Sequence, residues 1–461
     1  MNSNDSPDSD IEAYRRASEA LLRLIRSERH ASRTRASRRR RAEIKLKRIR
    51  WMLNSIGDPQ RAYPTVHITG TSGKGSTAAT VAAILTAAGY RVGLHTSPYL
   101  QVSTEKLQIG PSLIDGDSFA DIVARVLGYA ARVCPPEQSD LPISYAEVWS
   151  VLGYLWFAER EVDIAVVEVG AGGRFDATNV IEPVVSVITS VGLDHLVTLG
   201  PSISDIAWHK AGIIKPGGTA VVGDVPAEAF EVIASEASAV SADVIAAGDF
   251  DLSRTRFPCT EAHFQKRNAQ LAAVVVLVLN RRGFTIPKAA IGVGIDSARL
   301  PGRLEQMPGT IDPPVWVDGA HNADKIAALT REVVRLRNGS SLPVIVLGML
   351  SSKDPPSIMA QLKTAASSMV LTEPFVRGKK SLSADRLAHA VADSGFAGAI
   401  HVEPDPDAAV RLAEGLAKKE RAAVLVTGSM YLAGQIRRRW FPDQEIVRQR
   451  TPWPTLTRNT G

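Results

Sequence analysis

The sequence is poor in cysteine and contains no long apolar run. Only two of its 461 residues are cysteines, Cys134 and Cys259, and neither has a Cys-x-x-Cys or Cys/His ligand spacing around it. A disulfide framework and a structural zinc site are therefore not expected, and we predict a cytoplasmic protein. The apolar stretch at 271–279 is far shorter than the roughly 18 residues that a membrane span needs. We expect no membrane contact, and the polar, acidic start shows no targeting signal.

The net charge of +6 is concentrated near the amino terminus, where the first 50 residues hold 15 of the 54 lysines and arginines. The densest run is Arg38–Arg41. Such a run can contact nucleic acid, but no interleaved aromatic residues, helix-turn-helix or zinc-finger spacing accompany it. We therefore interpret it as a solvated, partly helical loop between a helix at Ile11–Leu24 and another at Ile44–Leu53, and we do not expect nucleic acid as a partner.

The rest of the chain alternates short β-branched runs with longer helical patterns, which is typical of parallel sheets covered by helices. We predict an α/β fold, with a parallel-sheet P-loop ATPase domain followed by a smaller Rossmann-like α/β domain. The predicted strands of the first domain are Thr65–Thr69, Arg91–Leu94, Ile164–Val169, Val184–Thr189 and Ala220–Val222. Its predicted helices include Ser76–Ala88, Ser118–Ala131, Tyr145–Arg160 and Phe264–Arg281.

A second alternating series follows the Pro/Gly-marked stretch at 300–304. Its predicted strands are Val315–Val317, Val344–Leu347, Ser368–Leu371 and Ala423–Thr427. We place the boundary near residues 297–313, which gives predicted domains at 1–300 and 301–461.

The strongest local signal is a predicted strand that runs into a glycine-rich turn and then a helix. Backbone N–H groups freed by glycines at the start of a helix bind phosphate oxygens, and a lysine there neutralises their charge. We therefore predict a phosphate-binding loop. It differs from the usual G-x-x-x-x-G-K-[ST] spacing in being shorter and in having a glycine after the lysine. Its residues are Gly70, Thr71, Gly73, Lys74, Gly75, Ser76 and Thr77.

Two further clusters follow predicted strands. Glu168 ends one strand and is followed by glycines, and Asp194-His195 follow the next. Carboxyl ends of parallel strands meet at one edge of a sheet, so these residues are expected to lie near the phosphate loop, with Lys210 on the helix that follows. Because Mg²⁺ takes hard oxygen ligands, Glu168 is a candidate magnesium ligand.

In sequence order, these motifs resemble the folylpolyglutamate synthase and dihydrofolate synthase family of the Mur ligase superfamily. The resemblance continues through Asn268, the Pro-Gly-Arg303 motif, Asp318-Gly-Ala-His321 and Thr-Gly-Ser429. It implies an ATP-dependent ligase that activates a folate or pteroate carboxylate as an acyl phosphate and joins it to glutamate. It also implies a monomer whose partners are these small molecules.

The resemblance assigns roles to individual residues. Lys74 and Ser76 hold the ATP phosphates, and Ser97, Glu168 and His195 coordinate magnesium. Lys210 matches a lysine that is carbamylated in the superfamily and then helps to hold a second metal. The resemblance also implies nucleotide contacts for Asn268, Arg303 and Asp318, a glutamate site at His321 and Ser429, and catalytic roles for Lys74, Lys210 and His321.

The chain departs from the family pattern in four places. The segment Val102-Ser-Thr-Glu-Lys-Leu107 replaces a Phe-Asn-Glu-Arg-Ile pattern, His209 replaces a glutamate, and Ser72 replaces an asparagine. In addition, a basic insertion at Ser27–Arg41 interrupts the amino-terminal region of the first domain, which in the family lies near the pterin end of the substrate. Two alternatives therefore remain. One is a Mur-type ligase for a carboxylate other than folate, and the other is a nucleotide-regulated protein that docks on nucleic acid through its arginines.

Overall fold

The computed structural model describes residues 7–25, 35–132, 142–250, 263–337 and 341–455. These residues form two compact units, each described here by itself. The first comprises residues 1–99, 103–299 and 447–451, and the second comprises 100–102, 300–446 and 452–461. The main division falls between Arg299 and Leu300. Two short segments lie on the other side of it in sequence, because residues 100–102 belong to the second unit and residues 447–451 to the first.

The first unit is built around an eight-stranded sheet. Its strands are β1 Thr65–Thr69, β2 Val92–His95, β3 Leu107–Ile109, β4 Ser112–Leu113, β5 Ile164–Glu168, β6 Val185–Ile188, β7 Thr219–Val222 and β8 Asp243–Ala246. Its helices are α1 Pro7–Leu22, α2 Arg35–Ser55, α3 Lys74–Ala87, α4 Gly116–Arg132, α5 Tyr145–Glu159, α6 Leu196–Leu199, α7 Ile203–Ala211, α8 Ala227–Ser238, α9 His263–Arg281 and α10 Lys288–Ser297.

The strand order is β4-β3-β2-β5-β1-β6-β7-β8, and pairing is parallel from β2 to β8. β1 is central and buried along its whole length, as its run of β-branched residues predicts. The helix that follows it, α3, packs against α9 and α10. Because β1, β5 and β6 are adjacent, the loops at their carboxyl ends lie side by side.

The second unit has a six-stranded sheet in the order β13-β12-β11-β14-β10-β9, parallel except for β9. The strands are β9 Glu305–Gln306, β10 Val315–Val317, β11 Val344–Leu347, β12 Ser368–Leu371, β13 Ala399–Val402 and β14 Val424–Thr427. The helices are α11 Ala323–Leu336, α12 Pro355–Leu362, α13 Ala384–Asp393, α14 Pro406–Glu420 and α15 Met430–Arg437, and α16 Asp443–Gln449 contains the second division between the units.

The predicted α/β fold class is confirmed, and the ends of the predicted strands agree with the observed ones to within one residue. The strands that sequence patterns missed are short or at the margins of the sheets: β3, β4, β8, β9 and β13. β3 and β4 form an antiparallel hairpin against β2. None of these five strands is buried along its whole length, so their short sequences lack the continuous apolar run by which the buried strands are recognised.

The interpretation of the arginine run as a loop was wrong where the structure describes it. Arg38–Arg41 belong to α2, a helix that begins at Arg35 and continues to Ser55. The remainder of the run, at 26–34, lies outside the described residues, as do Cys134 and Cys259. Within the described part of the chain, no helix is long and apolar enough to cross a membrane.

A buried ion pair fastens α2 to α5. The Arg48 guanidinium donates from Nε to Glu147 Oε1 and from Nη2 to Glu147 Oε2, both at 2.7 Å, and the two side chains are 1% exposed. Glu147 also accepts hydrogen bonds from the backbone N–H and hydroxyl of Ser144, which caps α5. The basic helix is therefore an integral part of the first unit.

Candidate active site

The predicted phosphate loop follows β1 at the carboxyl edge of the first sheet. Its backbone turns at Gly73, which has a φ of +82° and is the N-cap of α3. This left-handed conformation favours glycine. Lys74 begins the helix, and its ammonium donates to the Gly70 carbonyl at 3.1 Å. The loop therefore presents the amino-terminal end of α3 together with a lysine, which is the arrangement that binds phosphate.

The loop after β6 supports the phosphate loop through a set of short hydrogen bonds. The Thr71 N–H donates to the Ser190 carbonyl at 3.0 Å, and the Thr71 hydroxyl donates to the Gly192 carbonyl at 3.0 Å. The Ser72 N–H donates to Ser190 Oγ at 2.9 Å, and the Thr189 hydroxyl donates to the Ser72 carbonyl at 2.6 Å. Two of the three predicted clusters are thus joined directly, and the phosphate loop is held in shape before a ligand binds.

Asn268 lies against the same loop, although it is almost 200 positions away in the chain. A Cβ added to Gly73 would come within 2.4 Å of Asn268 Oδ1. Asn268 is carried by α9, which packs on α3. The structure therefore brings this predicted nucleotide contact and the phosphate loop together.

Glu168 and Ser97 form a second polar group at this edge. Glu168 ends β5 and is 5% exposed, and its Oε2 accepts a hydrogen bond from the Ser97 N–H at 2.9 Å. A Cβ added to Gly170 would be 3.9 Å from Ser97 Oγ and 3.2 Å from Asp176 Oδ2. A hydroxyl and carboxylates grouped in this way are hard oxygen donors that suit Mg²⁺. The described residues contain no cluster of three His, Cys, Asp or Glu side chains in ligating geometry.

The glycines after Glu168 have a structural explanation. A Cβ on Gly173 would come within 2.8 Å of the His209 carbonyl oxygen and 3.1 Å of the Lys210 carbonyl oxygen. The Arg174 N–H donates to the His209 carbonyl, at 2.6 Å. The absence of a side chain at Gly173 therefore lets this loop approach the backbone of the last turn of α7. This contact sets the position of Lys210, whose side chain is 2% exposed.

His195 is placed differently from the other predicted metal ligands. It is exposed, has a φ of +54°, and is the N-cap of the short helix α6, while its N–H donates to Asp194 Oδ1 at 2.9 Å. The neighbouring side chain of Leu193 is 54% exposed. No described geometry joins His195 to Glu168, so its metal role stays a prediction.

An aromatic group beside Lys210 was missed by sequence reasoning. The rings of Phe175, Trp208 and His209 contact one another with centroid distances of 5.1 to 6.0 Å. The Arg39 guanidinium lies 5.8 Å from the Phe175 ring and 5.7 Å from the Trp208 ring. The arginine run has aromatic partners after all, but they come from distant parts of the chain. His209, a departure from the family pattern, packs in this group.

The altered segment contributes a buried lysine. Lys106 is 6% exposed, and its ammonium lies 4.6 Å from the centroid of the Trp149 ring and 5.3 Å from that of Tyr145. Burial lowers the pKa of Lys106 to about 8, against the opposing effect of Asp176 and Glu168. Burial, with the charge of Lys106, also lowers the pKa of His95 to about 3. The altered segment therefore places a buried ammonium against two aromatic rings.

In the second unit, Asp318 follows β10 and is 5% exposed. Its two carboxylate oxygens accept the N–H groups of Leu304 at 2.8 Å and Ala320 at 2.7 Å. Burial raises the pKa of Asp318, and the charge of Arg303 opposes this rise. Leu304 has a φ of +47°. Asp318 thus organises the backbone around the Pro-Gly-Arg motif and lies beside Arg303, the other nucleotide contact predicted here.

The predicted glutamate residues lie at the carboxyl ends of two adjacent strands, β10 and β14. The Gly428 N–H donates to the Ala320 carbonyl at 3.0 Å, which links the loop of Ser429 to the loop of His321. His321 Nδ1 is 2.7 Å from the Gly319 carbonyl, and its Nε2 is 3.1 Å from the Lys325 ammonium. The Ser429 hydroxyl caps α15 and is 2% exposed.

Comparisons with known proteins agree with this arrangement. Residues 68–254 match the Mur ligase middle domain, and residues 302–430 match the Mur ligase, glutamate ligase domain. The folylpolyglutamate synthase of Lacticaseibacillus casei is 34% identical over 85% of this chain and 93% of its own length. This chain belongs to the folylpolyglutamate synthase and dihydrofolate synthase family. The family resemblance predicted from the motifs is thereby confirmed.

Further family members extend the similarity over almost the whole chain. The dihydrofolate synthase/folylpolyglutamate synthase of Bacillus subtilis is 31% identical over 86% of this chain and 94% of its own. The structure of Mycobacterium tuberculosis folylpolyglutamate synthase complexed with ADP superposes with a TM-score of 0.82 at 28% identity, covering 94% and 99% of the two chains. The structure of Escherichia coli FolC in complex with DHPP and ADP superposes with a TM-score of 0.77 at 25% identity, covering 95% of this chain and 98% of its own.

Proposed function

We propose that this family member is an ATP-dependent ligase that forms an amide bond between a folate-type carboxylate and L-glutamate through an acyl phosphate. The observation that carries the proposal is the edge of the first sheet, where a phosphate loop, a buried glutamate and a buried lysine follow neighbouring elements. Homologues of the same family bound to ADP and to DHPP support the nucleotide and the folate-type substrate. We further infer that it acts as a monomer in the cytoplasm, on family resemblance alone.

In this proposal the phosphate loop binds the triphosphate of ATP. The N–H groups at the start of α3 and the Lys74 ammonium stabilise the negative charge that spreads over the transferred phosphoryl group. The buried hydroxyls of Ser72 and Thr77 have no hydrogen-bond partner within the described residues, so they have capacity to bind a ligand. The attack of the substrate carboxylate on the γ-phosphoryl group then yields the acyl phosphate and ADP.

Ser97 and Glu168 would hold Mg²⁺, together with His195 and with Lys210 if the latter is carbamylated. When bound, the metal supplies positive charge to the phosphate oxygens. The Glu168 carboxylate is almost fully buried and hydrogen-bonded to the Ser97 backbone, so its orientation is set in advance. This preorganisation avoids a reorganisation cost during the reaction.

We assign glutamate binding to His321 and Ser429, and further nucleotide contacts to Asn268, Arg303 and Asp318. The amine of glutamate attacks the acyl phosphate carbon and displaces phosphate, which completes the amide bond. Both ring nitrogens of His321 lie within hydrogen-bond distance of a partner, Nδ1 at 2.7 Å from the Gly319 carbonyl and Nε2 at 3.1 Å from the Lys325 ammonium, so the orientation of the ring is set before glutamate binds.

The first test is phosphate release from MgATP with glutamate present, with dihydropteroate, tetrahydrofolate or no acceptor in parallel. Release with dihydropteroate identifies dihydrofolate synthase activity, and release with tetrahydrofolate identifies folylpolyglutamate synthase activity. Lys74→Ala is expected to lower kcat/KM by about a hundredfold or more. Lys47→Ala, which removes an exposed lysine of α2, is the matched control and is expected to be unchanged.

Silence with both acceptors would contradict the folate assignment. The altered segment at 102–107, with its buried Lys106, favours a different carboxylate as the second candidate in that case. A panel of pteroyl-free carboxylic acids in the same assay would then find the acceptor. Near-normal activity of Lys74→Ala would instead show that the phosphate-loop assignment is wrong.

A further inference from the structure

A second polar cavity lies at the opposite edge of the first sheet, away from the phosphate loop. Its volume is about 740 Å³, which is within the range of small-molecule sites. The segments that enter β6 and β7 form one side of it, and the end of α2 with the turn after it forms another. The phosphate loop leaves the carboxyl end of β1, whereas this cavity lies beside the amino ends of β6 and β7. The two sites are therefore distinct.

The charges that line the cavity favour an anion. Four cations face two carboxylates, and one of those carboxylates, Glu182, lies 3.5 Å from the Arg61 guanidinium. Among the described residues, Arg50 has no ion-pair partner. The Lys215 ammonium donates to Asn179 Oδ1 at 2.7 Å. Burial, with the like charge of Arg50, lowers the pKa of Lys215 to about 8. A bound anion would relieve this repulsion.

A buried hydrogen-bond acceptor in the cavity wall indicates that the bound anion also needs a hydrogen-bond donor. Gln60 is 7% exposed, and its Nε2 donates to Asp58 Oδ1 at 2.9 Å. Its Oε1 has no hydrogen-bond partner among the described residues. Gln60 lines the cavity, and buried acceptors are almost always paired, so its unpaired oxygen points to a ligand or water with a donor. Cations and a free acceptor together select an anion that also carries an O–H or N–H group.

We propose that this cavity binds a small dianion with its own hydrogen-bond donor, held by Arg50 and Lys215 and recognised by Gln60. Hydrogen phosphate is such a dianion, and an amino dicarboxylate such as glutamate offers two carboxylates and an ammonium donor at a net charge of −1. Sulfate has the same charge but no hydrogen-bond donor, so its affinity reports the contribution of the cations without that of the Gln60 acceptor. This proposal does not depend on the ligase reaction, because none of the three residues belongs to the proposed active site.

The test measures hydrogen phosphate binding by equilibrium dialysis in a Lys74→Ala background, which weakens binding at the phosphate loop. We expect Arg50→Gln and Lys215→Met each to weaken the remaining binding by about tenfold or more, the loss typical of one charge-assisted hydrogen bond. Arg50 is exposed, so its variant is expected to fold. Arg38→Gln, an exposed arginine on the same helix outside the cavity, is the matched control.

Competition identifies the ligand. Hydrogen phosphate is expected to bind more tightly than sulfate, and Gln60→Met is expected to abolish that preference. Displacement of phosphate by glutamate at lower concentration would assign the site to an amino dicarboxylate, and failure to displace would assign it to phosphate. Unchanged affinity in both cation variants, or equal affinity for sulfate and hydrogen phosphate, would overturn the proposal.

Discussion

Replacing Gly73 by alanine tests the geometry of the phosphate loop. At a φ of +82° the new side chain adopts a left-handed conformation, which costs about 1–2 kcal/mol for a residue with a Cβ. In addition, the Cβ would lie 2.4 Å from Asn268 Oδ1, so the Asn268 side chain has to move. Loss of one well-placed hydrogen-bonding group costs about 1 kcal/mol more, or roughly a fivefold loss in nucleotide affinity.

Gly57 provides the matched control for this prediction. Its φ is +85°, almost the same as that of Gly73, but an added Cβ would meet no atom within 4 Å. Gly57→Ala therefore has the backbone cost without the clash. We expect both variants to lose a similar backbone contribution to the free energy of unfolding, measured in urea. Only Gly73→Ala should weaken ATP binding, measured by calorimetry. Equal ATP affinity in the two variants would refute the placement of Asn268 against the loop.

Three further predictions concern buried charges. Arg48→Met should lower the free energy of unfolding by about 3–5 kcal/mol because Glu147 is left buried and unpaired, and adding Glu147→Met should restore most of the loss; an unaffected urea midpoint would contradict the pair. Arg437→Met should cost a similar amount, since this fully buried guanidinium holds Glu305 at 2.8 and 2.9 Å. The pKa of Lys106 is lowered to about 8 in the folded protein, so above that pH the unfolded chain binds more protons and the free energy of unfolding should rise with pH. Lys106→Met lacks this rise, so between about pH 7.5 and about pH 9.5 its free energy of unfolding should fall behind that of the wild type by on the order of 2 kcal/mol in urea titrations. A difference between the two proteins that stays constant with pH would argue against the lowered pKa.

The sequence predicted those features of the fold that depend on neighbouring residues. The long buried strand β1, the glycine turn and helix α3 are written in one continuous segment, so their type and order are readable from local pattern. The second series of strands is equally regular. The predicted domain ranges, 1–300 and 301–461, stay predictions, although the first unit also takes in residues 447–451.

The candidate site was predicted in part. Motifs at successive strand ends indicated that Lys74, Glu168 and the segment at 190–195 belong together, because parallel strands deliver their carboxyl ends to one edge. The roles of Asn268, Arg303 and Ser429 came from resemblance, since nothing local marks them. The individual site roles remain predictions.

Other features depend on residues that only folding brings together. Arg48 and Glu147 are 99 positions apart, and the pair decides that the basic segment is an anchored helix. The aromatic partners of Arg39, the burial of Lys106 and the cavity around Lys215 likewise join distant segments. Local sequence determines backbone preference and periodicity. Burial, ion pairing and pKa depend on which side chains exclude water around a group, and tertiary packing alone decides that.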